Sequence, residues 1–246
     1  DVNGNITVNT VDTTVFTVTG RTVNAAGTVD LTNLDTFNRT GSTFIFDGTS
    51  TLTSAGYSFT DIQIGSASAG GSLTIADNLD LNGTLTVGAV DTTILDVSGR
   101  TVNAANTINL TNLDTFTQAG STFIFDGTST LTSAGHSLVN IQTGSATAGG
   151  SLTLADNLDI DGNLTAGTTN TTTLDVTGRT VNAAGNVNFT NLDTFTQTGS
   201  TFIFDGTTIL TSAGRAFVNV QLGSLSTGGA ISTADATLRA SAKTVD

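Results

Sequence analysis

The chain has 246 residues and a formal net charge of −13, and it contains no Pro, Cys, Met, Trp or Glu. Without Cys there is no disulfide framework, thiol nucleophile or thiolate metal site, and a single His (His136) leaves no imidazole cluster. One Lys and six Arg against 20 Asp exclude the basic footprint of nucleic-acid binding, and the net charge would be repelled by anionic membrane surfaces.

The remaining composition favours strands. Thr (53 residues), Gly (28), Asn (21) and Ser (20) make up about half the chain, with Val, Ile and Phe supplying the apolar part. No apolar run approaches the length of a membrane-spanning helix. The chain opens on Asp1 without an initiator Met or a signal pattern, which reads as a processed form or a piece of something longer.

From the N-terminus onward, one pattern recurs. GRTVNAA stands at residues 20–26, 99–105 and 178–184, a spacing of 79 residues both times. NLDTF follows at Asn33, Asn112 and Asn191, STFIFDGT at Ser42, Ser121 and Ser200, and TSAG at Thr53, Thr132 and Thr211. The reading is three tandem 79-residue repeats, 1–79, 80–158 and 159–237. The third degenerates from about residue 230, and 238–246 forms a tail that acts as a cap or an inter-subunit strand.

Within each copy, period-two alternation predicts about ten short strands; examples are 84–87, 92–97, 122–125, 137–142 and 151–154. Gly, Asn-Gly, Asp-Gly and Ala-Gly turns separate them. Two all-β architectures fit, a sandwich or barrel chain and a β-solenoid (parallel β-helix). The solenoid is favoured because an exact tandem period suits stacked coils and the absence of Pro leaves every N–H free for a ladder. Thr, Asn and Phe at matched positions are expected to stack like on like. At three strands per coil the array makes roughly ten coils, near 50 Å long at about 4.8 Å per strand. Phe44, Phe46, Phe123, Phe125, Phe202 and Phe204 are assigned to the interior, with Phe37, Phe116 and Phe195 as further core aromatics. Ile45, Ile124 and Ile203 fall on the opposite side of that strand.

Residues 116–127 (FTQAGSTFIFDG), 128–135, an IQ-containing strand and 149–167 (GGSLTLADNLDIDGNLTAG) together resemble the repeats of large bacterial surface proteins of the parallel β-helix adhesin and autotransporter-passenger type. The resemblance covers essentially the whole chain. It implies an extracellular stalk, fibre or adhesive role and supplies no catalytic residues.

The candidate sites are few. Asp159, Asp161 and Asn163, with Asp80 and Asn82 in the preceding copy, resemble part of a calcium loop but lack its closing Glu; a tight turn is the competing reading. Asp35/Asp114/Asp193, Asp47/Asp126/Asp205 and Asp77/Asp156/Asp235 recur with the array; calcium binding between subunits is one reading of them, and a turn-capping or solvated role is favoured. His136, which aligns with Tyr57 and Arg215, reads as a variable exposed position. Arg21, Arg100 and Arg179 read as structural ion-pair or backbone-binding residues, with Asp96 and Asp175 as candidate partners. Thr-x-Thr-x-Thr runs begin at Thr49 and Thr128, the pattern an ice-binding face would use; a solvent-facing strand is the plainer reading.

No catalytic residue is assigned, and a polysaccharide-cleaving carboxylate pair is disfavoured because such a site would break the repeat. The expected function is an extracellular structural subunit that stacks on itself head to tail. Asp1, Val2, Asn3, Ile231, Leu238, Arg239, Lys243 and Val245 are the contact candidates. The stalk of a cell-surface adhesin, meeting glycans or other cells, is the alternative.

Overall fold

A computed structural model describes residues 1–10, 13–90, 92–169 and 171–235. Among them there are 31 strands and no helix. Every strand pair is parallel, and each strand bonds to one lying 18–23 residues away, as in Thr43↔Asp61 and Leu85↔Ile108. Parallel neighbours normally require a long crossover, usually a helix. Here the chain meets the requirement by going round a three-sided coil, so the crossover consists of the other two sides. The protein is a β-solenoid of about ten turns; every third strand joins the same column up to Thr207–Thr211, after which Asn219–Leu222 and Ala230–Thr233 join at a step of two.

The first face holds a six-stranded sheet from Ile6–Thr7 to Thr115–Thr117 and a five-stranded sheet from Ser137–Leu138 to Asn219–Leu222. The second holds the pair Val15–Thr17 and Thr36–Asn38, then nine strands from Ser58–Phe59 to Ala230–Thr233. Nine strands from Thr22–Ala25 to Thr194–Thr196 form the third. The expected strand at 137–142 is two strands, Ser137–Leu138 and Asn140–Thr143, because the chain turns a corner at Val139.

Alternation within these short strands builds the core. Thr43–Phe46, Thr122–Phe125 and Thr201–Phe204 share one burial pattern, with both Phe side chains of each strand fully enclosed. Phe37 is also buried, whereas Phe116 and Phe195 pack partly exposed against the core. Ile45, Ile124 and Ile203 are half-buried on the outer side. Each lies between two amide side chains of its ladder, as in Asn24–Ile45–Gln63. Aromatic rings cluster in the first and third copies: Phe37 meets Phe16, Phe44, Tyr57 and Phe59, and Phe202 meets Phe189, Phe195, Phe204 and Phe217.

The expectation that matched positions of the copies stack like on like is corrected. The 79-residue repeat is not a whole number of coils. The first copy contributes eleven strands, from Ile6–Thr7 to Leu79–Leu81, and the coil takes three. Each copy therefore begins two strands past its predecessor's starting face. Thr43–Phe46 lies on the third face, Thr122–Phe125 on the second and Thr201–Phe204 on the first. Equivalent residues of different copies do not stack on one another; the ladders join different parts of the repeat, such as Val23–Phe44–Ile62.

The coils approach closely at the corners. A Cβ on Gly150 would lie 1.9 Å from the Phe125 carbonyl oxygen, and one on Gly71 would lie 2.0 Å from that of Phe46. The second Gly of the recurring Gly-Gly pair is therefore required by space, since the preceding coil's backbone passes directly over it.

Candidate functional site

Three recurring features and two ends make up the chemistry of this surface. The first feature is a carboxylate clasp between coils. Asp156 accepts the Ser133 and Ala134 amides at 2.9 and 2.6 Å and the Ser133 hydroxyl at 3.2 Å. Asp77 and Asp235 repeat the arrangement on Ser54/Ala55 and Ser212/Ala213. Ala55, Ala134 and Ala213 hold φ of +54°, +54° and +51°, a region L-residues disfavour. The clasp binds the amides of the positive-φ alanine and of the serine before it.

A second set clasps the Thr residues that follow positive-φ ones. Asp114 accepts the Thr93 amide at 2.7 Å and its hydroxyl at 2.9 Å, beside Thr92 at φ +79°. Asp35 does the same with Thr14 and Asp193 with Thr172. Backbone amides of Thr14, Thr93 and Thr172 hold these three carboxyls below their ordinary pKa, and the Ser212 hydroxyl does so for Asp235. The turn-capping reading of these residues holds, with partners 21–23 residues earlier rather than in the local turn.

The third feature is an Asp–Asn–Asp ladder. Asn182 donates to Asp159 at 3.1 Å and Asp205 at 2.9 Å; Asn103 bridges Asp80 and Asp126 at 3.5 and 2.9 Å. Burial first, then the neighbouring carboxylates, raise the carboxyls of Asp80 and Asp159. Asn24, Asn103 and Asn182 leave Oδ1 buried without a hydrogen-bond partner.

The calcium candidates are drawn into neighbouring coils instead of converging. Asp161 accepts the Ser137 hydroxyl at 2.8 Å, Asn82 donates to Ser58 at 3.0 Å, and Asn163 Oδ1 accepts the Asn186 amide at 3.0 Å. Among the described residues no group of three or more acidic or imidazole side chains is placed to hold a metal ion.

Two further readings change. His136 is not a free variable position. Its Nε2 lies 2.8 Å from the Leu113 carbonyl oxygen, and Tyr57 and Arg215 donate to the equivalent carbonyls of Leu34 and Leu192. Three residue types share one task, a donor long enough to span one coil. Among the described residues Asp96 and Asp175 accept the amides of Ser98 and Thr177 and form no ion pair with arginine, while Arg179 donates to the Leu154 carbonyl at 3.3 Å. A carboxylate two residues before an amide closes a local turn, and that bond forms in preference to a distant ion pair. The Thr49–Thr53 and Thr128–Thr132 strands lie on different faces, so their threonines do not merge into one flat array.

The ends are open. At the N-terminal end Val2 bridges to Ala25, and Val2, Ile6, Val8 and Phe16 are only half-buried, while Asp1 and Asn3 are exposed. At the other end Ile231 is half-covered, and Val220 and Leu222 are 40% and 55% exposed although the equivalent Ile62 and Ile64 are fully buried. The third copy also places apolar residues where earlier copies have polar or smaller ones: Ile209 for Thr51 and Thr130, and Leu225 for Ala67 and Ala146. Both are exposed. The candidates Leu238, Arg239, Lys243 and Val245 lie outside the described residues.

No protein-family model, curated protein or solved structure matches the chain.

Proposed function

We propose that the protein is an extracellular structural element whose solenoids stack end to end into a filament or surface fibre. The observation that carries this reading is the pair of open ends. Among the described residues each presents strand edges without a partner strand and part-exposed core side chains, and such edges invite pairing with another chain. Parallel stacking offers the amides and carbonyls of one end to the carbonyls and amides of the other, a heterologous contact that propagates as an open filament. The repeating Asp clasps and the Thr-rich exterior supply the scaffold. Neither needs a cofactor or a reactive group.

The test is direct. The purified full chain, concentrated at moderate salt to screen its negative charge, is expected to form unbranched fibres one solenoid wide under the electron microscope. Monodisperse monomer by light scattering over the same range would overturn the reading.

A second reading draws on the same open ends. In the stalk of a surface adhesin, further coils of a longer chain would cover them, and ligand recognition would reside outside this segment.

A further inference from the structure

The end-to-end reading leaves open which surfaces meet, and the copy-to-copy junctions inside the chain supply a template. Where the first copy meets the second, Ile62 pairs with Leu85, Ile64 with Val87 and Leu73 with Leu95. Where the second meets the third, the same positions pair Ile141 with Leu164, Thr143 with Ala166 and Leu152 with Leu174. Carried one copy further, the upper edge of each junction falls on Val220, Leu222 and Ile231.

The lower edge could come from the chain itself or from a second copy, and the sequence register separates the two. Continuing the chain in register puts Arg239 at the position of Ile160 and Lys243 at that of Leu164, both buried core positions. A guanidinium and an ammonium are costly side chains for such apolar positions. The first coil of a second copy instead offers Ile6, Val8 and Phe16 at the positions of Leu85, Val87 and Leu95. These are the half-buried apolar residues of the opposite end.

We infer that the C-terminal end binds the first coil of a second copy in the register of the internal junctions, pairing Val220 with Ile6, Leu222 with Val8 and Ile231 with Phe16 of that copy. The inference rests on the end-to-end reading and adds its register. It also sets the rotation. The strands of Val220 and of Ile6 both belong to the first face, and those of Ile231 and Phe16 to the second, so the incoming solenoid enters with each face continuing the same face.

Outward neighbours of these pairs provide the test. Gln63 faces Thr86 and Gln142 faces Thr165 across the internal junctions, so Gln221 is expected to face Thr7 of the next copy. The chain has no Cys of its own. The full chain carrying Thr7→Cys and Gln221→Cys is expected to give a ladder of reducible oligomers on non-reducing gels. A Thr7→Cys and Gln142→Cys control should give none. Fibres by microscopy without the ladder would overturn the register while leaving end-to-end stacking intact. Absence of both fibres and ladder would overturn the stacking itself. Deletion of residues 236–246 provides an independent check: the ladder is expected to persist, and its loss would assign the cover to the chain's own tail and overturn the inference.

Discussion

The carboxylate of Asp156 lies 2.6 Å from the backbone amide of Ala134, a residue of the preceding coil held at φ +54°. One side chain thus satisfies a disfavoured turn and ties two coils together. Asp156→Ala is expected to lower stability by about 2 kcal/mol, the scale of lost charge-assisted hydrogen bonds to backbone donors. Asp156→Asn should recover part of it, since its one carbonyl oxygen can still accept an amide. Thermal or denaturant unfolding of the two variants checks the order.

Acid should act in two opposite steps. Asp80 and Asp159 have raised carboxyl pKa values in the fold, so their charged forms cost stability, and acidification towards the ordinary carboxylate range of about 4 relieves it. Asp35, Asp114, Asp193 and Asp235 have lowered values, so their contribution is present above that range and is lost as pH falls through their folded-state pKa values. Melting temperature is expected to rise slightly on acidification to about pH 4 and to fall below it. In the double variant Asp80→Asn, Asp159→Asn the rise should disappear, and a steady decline from neutral pH in the parent chain would contradict the assignment.

Position 136 should tolerate chemistry but not loss of its donor. His136→Tyr is expected to melt within a degree or two of the parent, because Tyr57 already does this work in the first copy. His136→Leu should lose about 1 kcal/mol or more by leaving the Leu113 carbonyl unpaired. Equal losses in both variants would show that packing, not the hydrogen bond, sets the requirement.

Two glycines should behave differently on substitution by Ala. At Gly150 the added Cβ meets the Phe125 carbonyl at 1.9 Å, so the coils must part. The expected cost exceeds about 3 kcal/mol, among the largest for a single substitution. Gly135 has φ +83° but open space around it, so only the conformational cost of about 1–2 kcal/mol is expected. Unfolding free energies of the two variants, measured side by side, decide the point.

Much of this architecture is legible in the sequence. Alternation around Phe44 and Phe46 marked the interior of that strand, because an inward side chain needs only its own strand's period to be recognised. Phase between copies was not legible. It depends on pairing offsets, such as 21 residues for Thr22↔Thr43 and 18 for Thr43↔Asp61, that vary from corner to corner and have no local signal. The clasps were legible in kind, since Asp at a turn suggests capping, but the partner of Asp156 lies one coil back and emerges only on stacking. The shared role of Tyr57, His136 and Arg215 was hidden because the three side chains agree only in length and in carrying a terminal donor.

The two-strand offset between successive copies makes the surface a counter that runs modulo three. Inserting or deleting a single copy would leave the buried positions matched, since Thr43–Phe46 and its equivalents are enclosed alike on all three faces. Everything beyond the change would nevertheless point in a new direction. Only gains or losses in threes would preserve what each side of the shaft presents. Length and facing are therefore inherited together, and a duplication that is silent for folding re-aims the exterior.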